Sequence, residues 1–160
     1  MDSLIIFGAQ YLYLVIVAWA IWYIVRQPKG SRWRIILCAI LALPLTYVTA
    51  KILSTFYYDP RPFVIGNFVP LLPHAPDNGF PSDHTLLSSA IAATIFFFHR
   101  KLGLVLFLIA FFVGASRVLA GVHHLVDIVG SMVIASLVTY IVFEYVFPKV
   151  GRYVSLHYPN

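Results

Sequence analysis

Long apolar runs separated by short polar breaks organise this chain. They extend over about Leu4–Val25, Ile35–Phe56, Thr85–Phe98, Gly103–Ala120 and Val126–Phe147. A helix needs roughly 20 apolar residues to cross the hydrocarbon of a bilayer, and most of these runs reach that length. The third is shorter, but Ser82-Asp83-His84 before it extends the helix into the headgroup region. Pro44 lies inside the second run, where a proline is tolerated and is expected to kink the helix. The stretch Tyr57–Pro81 holds Pro60, Pro62, Pro70, Pro73, Pro76 and Pro81, which break any regular element. It reads as a structured loop rather than a further span. Its Phe63, Phe68, Leu71, Leu72 and Phe80 suit a loop lying on the membrane surface or covering helix ends. The first run follows Met1-Asp2-Ser3, with no positive region before it, and exceeds the length of a signal-peptide core, so it reads as a retained helix.

Composition strengthens this picture. Of 160 residues, 61% are hydrophobic and 11% charged, against about a quarter charged in soluble domains. The expected fold is therefore all-α, one membrane-embedded domain over residues 1–160 with five, at most six, transmembrane helices. The sole cysteine, Cys38, rules out an intramolecular disulfide and a cysteine-type zinc site. The net charge of +5 sits in short clusters between apolar runs, a distribution that argues against nucleic acid as a partner.

Those clusters orient the chain. Arg26, Lys29, Arg32 and Arg34 fill the first connection, Arg100 and Lys101 the third, and Lys149 and Arg152 follow the last run. With five crossings all three places share one side, which the positive-inside rule assigns to the cytoplasm. The N-terminus is then outside and the C-terminus inside. Asp2, Asp59, Asp77, Asp83 and Asp127 fall on the outer side, and Glu144 near the inner one.

Lys51, Arg61 and Arg117 break the charge rule by standing on or near the outer side. Singly, each could be a long cation snorkelling to headgroups. Their companions suggest chemistry instead. Ser82 is a candidate N-cap, and the free amides and dipole of the helix it opens favour an anion. Ser116-Arg117 is followed by His123 and Asp127. If the last helix begins near His123, those two share a face, and the carboxylate fixes the imidazole tautomer so that the other nitrogen is free to attack. His84, His123 and His124 thus gather on one side with Arg, Lys and a helix N-terminus.

This order of residues resembles the type 2 phosphatidic acid phosphatase superfamily, which includes bacterial lipid phosphatases and vanadium haloperoxidases. The resemblance rests on Lys51 with Arg61-Pro62, on Pro81-Ser82-Asp83-His84, and on Ser116-Arg117-x5-His123-x3-Asp127, and it covers about half of the chain. Two positions depart from the pattern. Lys51 is ten residues before Arg61 where seven is usual, with Ser54 at the expected place. The shift moves the lysine about 60° round a helix and one turn deeper. Asp83 replaces the usual glycine. The Pro-Ser-Asp-His variant, with Arg61-Pro62-Phe63 upstream and Thr85 after it, is similar to the bacitracin-resistance type of undecaprenyl-diphosphate phosphatase.

The resemblance implies hydrolysis of a polyprenyl diphosphate to the monophosphate at the extracytoplasmic face, in carrier-lipid recycling for cell-wall peptidoglycan synthesis. Arg61, Arg117 and Lys51, with Ser82, Asp83 and Ser116, would hold phosphoryl oxygens. His123 would attack phosphorus to give a phosphohistidine, Asp127 would orient it, and His84 would protonate the leaving oxygen. The scheme requires no cofactor and no metal; the partner is a lipid phosphate. His124 is expected to make a loop or interfacial contact, His74 and Asp77 to be loop polarity or a substrate gate, and His99 and His157 have no assigned role. Three alternatives remain: the same chemistry on phosphatidic acid or phosphatidylglycerol phosphate, a hydrolase using His123, His124 and Asp127 with the outer aspartates as metal ligands, and a lipid-phosphate binder or transporter without catalysis.

Overall fold

A computed structural model gives the architecture and describes residues 1–150; Arg152 and His157 lie outside the described residues. Among the described residues the fold is a bundle of helices. In chain order these are α1 (Asp2–Gln10), α2 (Leu12–Arg26), α3 (Lys29–Ser54), α4 (Pro62–Gly66), α5 (Asp83–Phe98), α6 (Arg100–Leu119) and α7 (Leu125–Ile141). A π-helical turn, Val142–Val146, carries the last helix onward.

The apolar runs correspond to helices, with instructive differences. The first run is not one straight helix: α1 and α2 meet at a 44° bend around Tyr11. By length and composition α3, α6 and the helix over Leu125–Val150 can each cross a membrane, and the bent α1–α2 pair adds a fourth crossing if it is one span. α3 continues without a break through Pro44, and starts six residues before the apolar run because Lys29, Arg32 and Arg34 are good helix formers. The loop from residue 57 to 81 contains the short α4, opened by Pro62 at a position where the missing N–H costs nothing.

The short α5 is the hub. It packs against α2, α3, α6 and α7, and Ser88, Ser89, Ala90, Ala92 and Ala93 are buried along it. Small side chains of this kind let neighbouring backbones approach closely, the usual basis of helix packing in lipid. A Cβ on Gly103 of α6 would strike the Phe96 backbone, and one on Gly114 would strike the Ile128 side chain. One core layer joins Ile16, Ile35, Ile95, Leu106 and Val113; another joins Ala42, Leu86, Ala135 and Val138. On the periphery Val129, Val133 and Leu137 form an exposed apolar stripe on α7, as do Leu104 and Leu108 on α6. Lipid is the solvent such stripes require.

Helix direction sorts the termini. The ends carrying Arg26, Lys29, Arg100 and Lys101 gather at one end of the bundle. The C-termini of α3 and α6 and the N-termini of α5 and α7 gather at the other, and the loop from 57 to 81 folds over them.

Candidate active site

That second end holds a pocket of about 300 Å³, lined by Lys51, Arg61, His84, Arg117 and His123 among others. The sequence places these residues in separate segments; the bundle brings them together.

Local geometry starts at the end of α6. Gly121 takes the left-handed conformation, φ +76°. The Gly121 N–H reaches the Val118 carbonyl and the Val122 N–H reaches the Arg117 carbonyl, the reciprocal pair that terminates a helix at a glycine. The chain then turns at once into α7, with His124 at its N-cap. His123 therefore stands just before the helix rather than on it. Its contact with Asp127 is made across the cap and not along a helical face as the spacing suggested: Nδ1 lies 3.1 Å from Asp127 Oδ2. The same oxygen accepts the His124 backbone N–H at 2.9 Å. Asp127 is fully buried, and His123 is 3% exposed.

The other imidazole nitrogen faces cations. His123 Nε2 lies 3.3 Å from Arg61 Nη1 and 3.5 Å from Arg117 Nη2. A guanidinium only donates hydrogen bonds. Nε2 is thus the unprotonated acceptor, and the proton sits on Nδ1 toward Asp127. Burial, reinforced by Arg117 and Arg61, holds the imidazole below its ordinary value against the upward pull of Asp127. The result is a neutral, buried imidazole with a free lone pair between two buried guanidinium groups.

Each arginine is braced. Arg61 Nη1 donates to the Val122 carbonyl at 2.8 Å, so the turn ending α6 also fixes a residue from the loop. Arg61 Nε donates to Asp77 Oδ1 at 2.6 Å. Arg117 Nη1 reaches the Ala9 carbonyl of α1 at 3.4 Å, and its buried Nε has no partner among the described residues. His84, in the first turn of α5, meets the Tyr13 ring edge-on at 5.1 Å between centroids.

Lys51 lines the pocket, and its Nζ lies 3.2 Å from Asp83 Oδ1. Asp83 therefore corrects the phosphate-binding assignment for its side chain: a carboxylate repels a phosphoryl oxygen, and here it pairs with Lys51. Ser82 occupies the N-cap position of α5 without capping through its side chain; its hydroxyl, fully buried, accepts from Thr85 Oγ1 at 3.2 Å. The side chain of Ser116 packs against Gly8 of α1. Neither serine is among the residues lining the pocket, so both depart from their expected place.

The loop supplies Asn78, which the sequence did not single out, beside His74 and Asp77, which it did. Asn78 donates to the Ser54 and Tyr57 carbonyls and accepts the N–H groups of Asp59 and Phe80. Its only sequence signal was a turn-forming amide beside Gly79. His74 and Asp77 both line the pocket, and the His74 ring lies 6.1 Å from that of His123. Burial and the two arginines push His74 down. Burial works to raise Asp77, but the Arg61 hydrogen bond and charge outweigh it and hold Asp77 below the usual carboxylate range.

His124 turns away from the pocket, its Nδ1 2.8 Å from Asp59 Oδ2, the loop contact expected for it. His123 and His124 point to different partners and do not share an ion position, so of the expected metal ligands His124 and Asp127 come together with an outer aspartate and without His123. Asp59, His124 and Asp127 do offer ligand atoms within 4.8 Å of one another; hydrogen bonds join them in this arrangement.

The bundle and the histidine–arginine pocket define a phosphatase of the membrane, and the chain belongs to the PAP2 superfamily, whose family model matches residues 33–150. Among its relatives are the undecaprenyl-diphosphatase BcrC of Bacillus subtilis, 32% identical over 91% of this chain and 75% of that protein, and the bacitracin transport permease protein BcrC of Bacillus licheniformis, 30% identical over 89% and 70%. The crystal structure of Aquifex aeolicus LpxE superposes with a TM-score of 0.72 at 27% identity, covering 91% of this chain and 88% of that one. A PAP2-type phosphatidylglycerolphosphate phosphatase from Bacillus subtilis shares the fold at a TM-score of 0.55 and 24% identity, over 89% of this chain and 73% of that one.

Proposed function

We propose that this phosphatase hydrolyses a polyprenyl diphosphate to the monophosphate and inorganic phosphate on the extracytoplasmic face of the membrane. One observation carries the reading: His123 Nε2 lies between the Arg61 and Arg117 guanidinium groups, with Nδ1 on buried Asp127.

The terminal phosphoryl group docks against Arg61, Arg117 and the amides opening α5. The guanidinium geometry matches phosphate oxygens, and the unpartnered Arg117 Nε is a donor in waiting. His123 Nε2 attacks the terminal phosphorus in line. The bond from that phosphorus to the bridging oxygen breaks, and His84, protonated, gives the departing polyprenyl phosphate its proton. Asp127 steadies the positive charge that grows on His123. Water, deprotonated by His84, then attacks the phosphohistidine, releases phosphate and restores the imidazole.

The diphosphate preference is supported by BcrC of Bacillus subtilis, named as an undecaprenyl-diphosphatase, and by three cations, Lys51, Arg61 and Arg117, around a single pocket. The outer location is supported by the charge clusters, which lie at the bundle end away from the pocket. In this topology five crossings put the N-terminus outside and the C-terminus in the cytoplasm. The test is His123→Ala assayed on purified protein with undecaprenyl diphosphate: no phosphate release is expected from a variant whose elution profile in detergent matches wild type. Turnover near wild type would sink the mechanism.

A further inference from the structure

The phosphate pocket does not end at its polar wall. Asp83 also lines a second, narrow cavity of about 50 Å³ with Thr46, Tyr47, Leu86 and Leu87, and Leu43 at its far end. Leu43 in turn lines a third cavity of about 150 Å³ between α2, α3 and α5. The walls of this last space include Val17, Ile21, Ile35, Ala39 and Ile91; its one hydroxyl, on Thr94, is spent on the Ala90 carbonyl at 2.8 Å. Asp83 lines both of the first two spaces, and Leu43 both of the last two.

We infer that this succession is the binding groove for the hydrocarbon tail of the substrate, a single linear isoprenoid chain lying along the seam between α3 and α5. The assignment rests on the polyprenyl diphosphate reading above. Continuity with the phosphate pocket is its first support, since a tail must leave the headgroup somewhere. Polarity is the second: the wall changes from cations and carboxylates to aliphatic side chains in one direction along α3. Length is the third. From Lys51 to Ile35 a helix rises about 24 Å, most of the hydrocarbon thickness of a bilayer.

The junction is marked by the residue that departs from the expected register. Lys51 Nζ lies 3.2 Å from Asp83 Oδ1 and 5.1 Å from the centroid of the Tyr47 ring. One turn deeper than the usual lysine, it stands where the polar pocket gives way to the groove, the level at which the phosphate bearing the tail would lie.

The experiment fills the far cavity with Ala39→Trp and, separately, with Ile21→Trp, and measures kcat and KM for undecaprenyl diphosphate and for geranyl diphosphate, whose tail is too short to reach it. Ile21 is 56% exposed toward lipid, so its variant folds even where packing at Ala39 does not allow the larger ring. KM for undecaprenyl diphosphate should rise about tenfold, the worth of roughly two buried methylenes, with kcat kept and geranyl diphosphate kinetics unchanged. Equal losses on both substrates, or no loss on either, overturn the groove while leaving the diphosphatase reading intact. A wild-type protein that cleaves neither diphosphate overturns that reading and the groove together.

Discussion

Replacing Asp127 with asparagine separates two things a carboxylate does for an imidazole. It fixes the tautomer, and it stabilises the cation that forms. In chymotrypsin-like triads the asparagine variant loses about 10⁴ in kcat because the amide selects the wrong tautomer. Here the geometry opposes that outcome. One oxygen, Oδ2, accepts both His123 Nδ1 at 3.1 Å and the His124 backbone N–H at 2.9 Å. The backbone donor cannot reverse, so an asparagine turns its carbonyl oxygen to that position and still takes the proton of Nδ1. The amide NH₂ then replaces Oδ1, which is buried without a partner among the described residues; an unsatisfied donor there costs about 1–3 kcal/mol of stability. What catalysis loses is charge. Two unit charges about 4 Å apart interact by about 4 kcal/mol at an effective dielectric near 20, and a transition state carrying about half of the charge forfeits about half of that. Asp127→Asn should therefore lower kcat about 30-fold, and about 10³-fold at most if the full charge has formed. The alanine variant loses the tautomer control as well and should fall much further. Phosphate release from a polyprenyl diphosphate, measured at saturation on both variants, checks this. An asparagine variant as dead as the alanine one would refute the argument that the His124 amide dictates the orientation.

Asp77 occupies the Nε edge of Arg61 that a phosphoryl oxygen would use. Asp77→Asn should tighten inhibition by inorganic phosphate about two- to fivefold, the modest value fitting a half-exposed pair; weaker inhibition would show that Asp77 assists binding instead. Because Arg61 holds the Asp77 carboxyl low, the pair contributes stability above the unfolded carboxylate value and loses it only as pH falls through the lower folded one. In the proposed mechanism His123 must be neutral to attack, and burial holds it below about 6.5. The acid limb of kcat/KM should then lie below pH 6.5, and Asp127→Asn, which removes an upward pull, should move it lower still; a limb that rises in this variant would refute the assignment. The sign for stability agrees: the unfolded chain takes the proton first as pH falls through about 6.5, so stability present above that value declines toward the folded one.

Apolar length was enough to place the helices, because in lipid a backbone must satisfy itself within the segment. It could not show the bend at Tyr11, which no proline or glycine marks. That α3 runs on through Pro44 agrees with the single apolar run read there. The motif positions brought His84, Arg61, Arg117, His123 and Lys51 to one pocket. Ser82 and Ser116 did not follow, because a hydroxyl on a helix faces wherever the packing turns it: one toward Thr85, the other toward α1. The sequence marks His74 and Asp77 as loop polarity or a substrate gate and leaves Asn78 unweighted, because a loop has no period; the bonds made by Asn78 and Arg61 fix where its side chains point.

The two departures from the family pattern meet in one contact, Lys51 Nζ to Asp83 Oδ1 at 3.2 Å. A glycine opening α5 leaves its amides free for an anion; an aspartate there puts a negative charge at the same mouth, which favours the helix dipole but repels a phosphate. A lysine in the usual register would sit at the position of Ser54, whose hydroxyl here bonds back to the Lys51 carbonyl. Displaced to position 51, the lysine reaches Asp83 instead and cancels that charge. Restoring either residue alone leaves the other unpaired in a site built to bind anions. Asp83→Gly alone frees the Lys51 ammonium, and Lys51→Ala alone leaves a bare carboxylate facing the phosphate. The first should tighten inorganic phosphate and the second weaken it, with the double variant Lys51→Ala/Asp83→Gly between them; equal losses in all three would mean the pair holds structure and not charge.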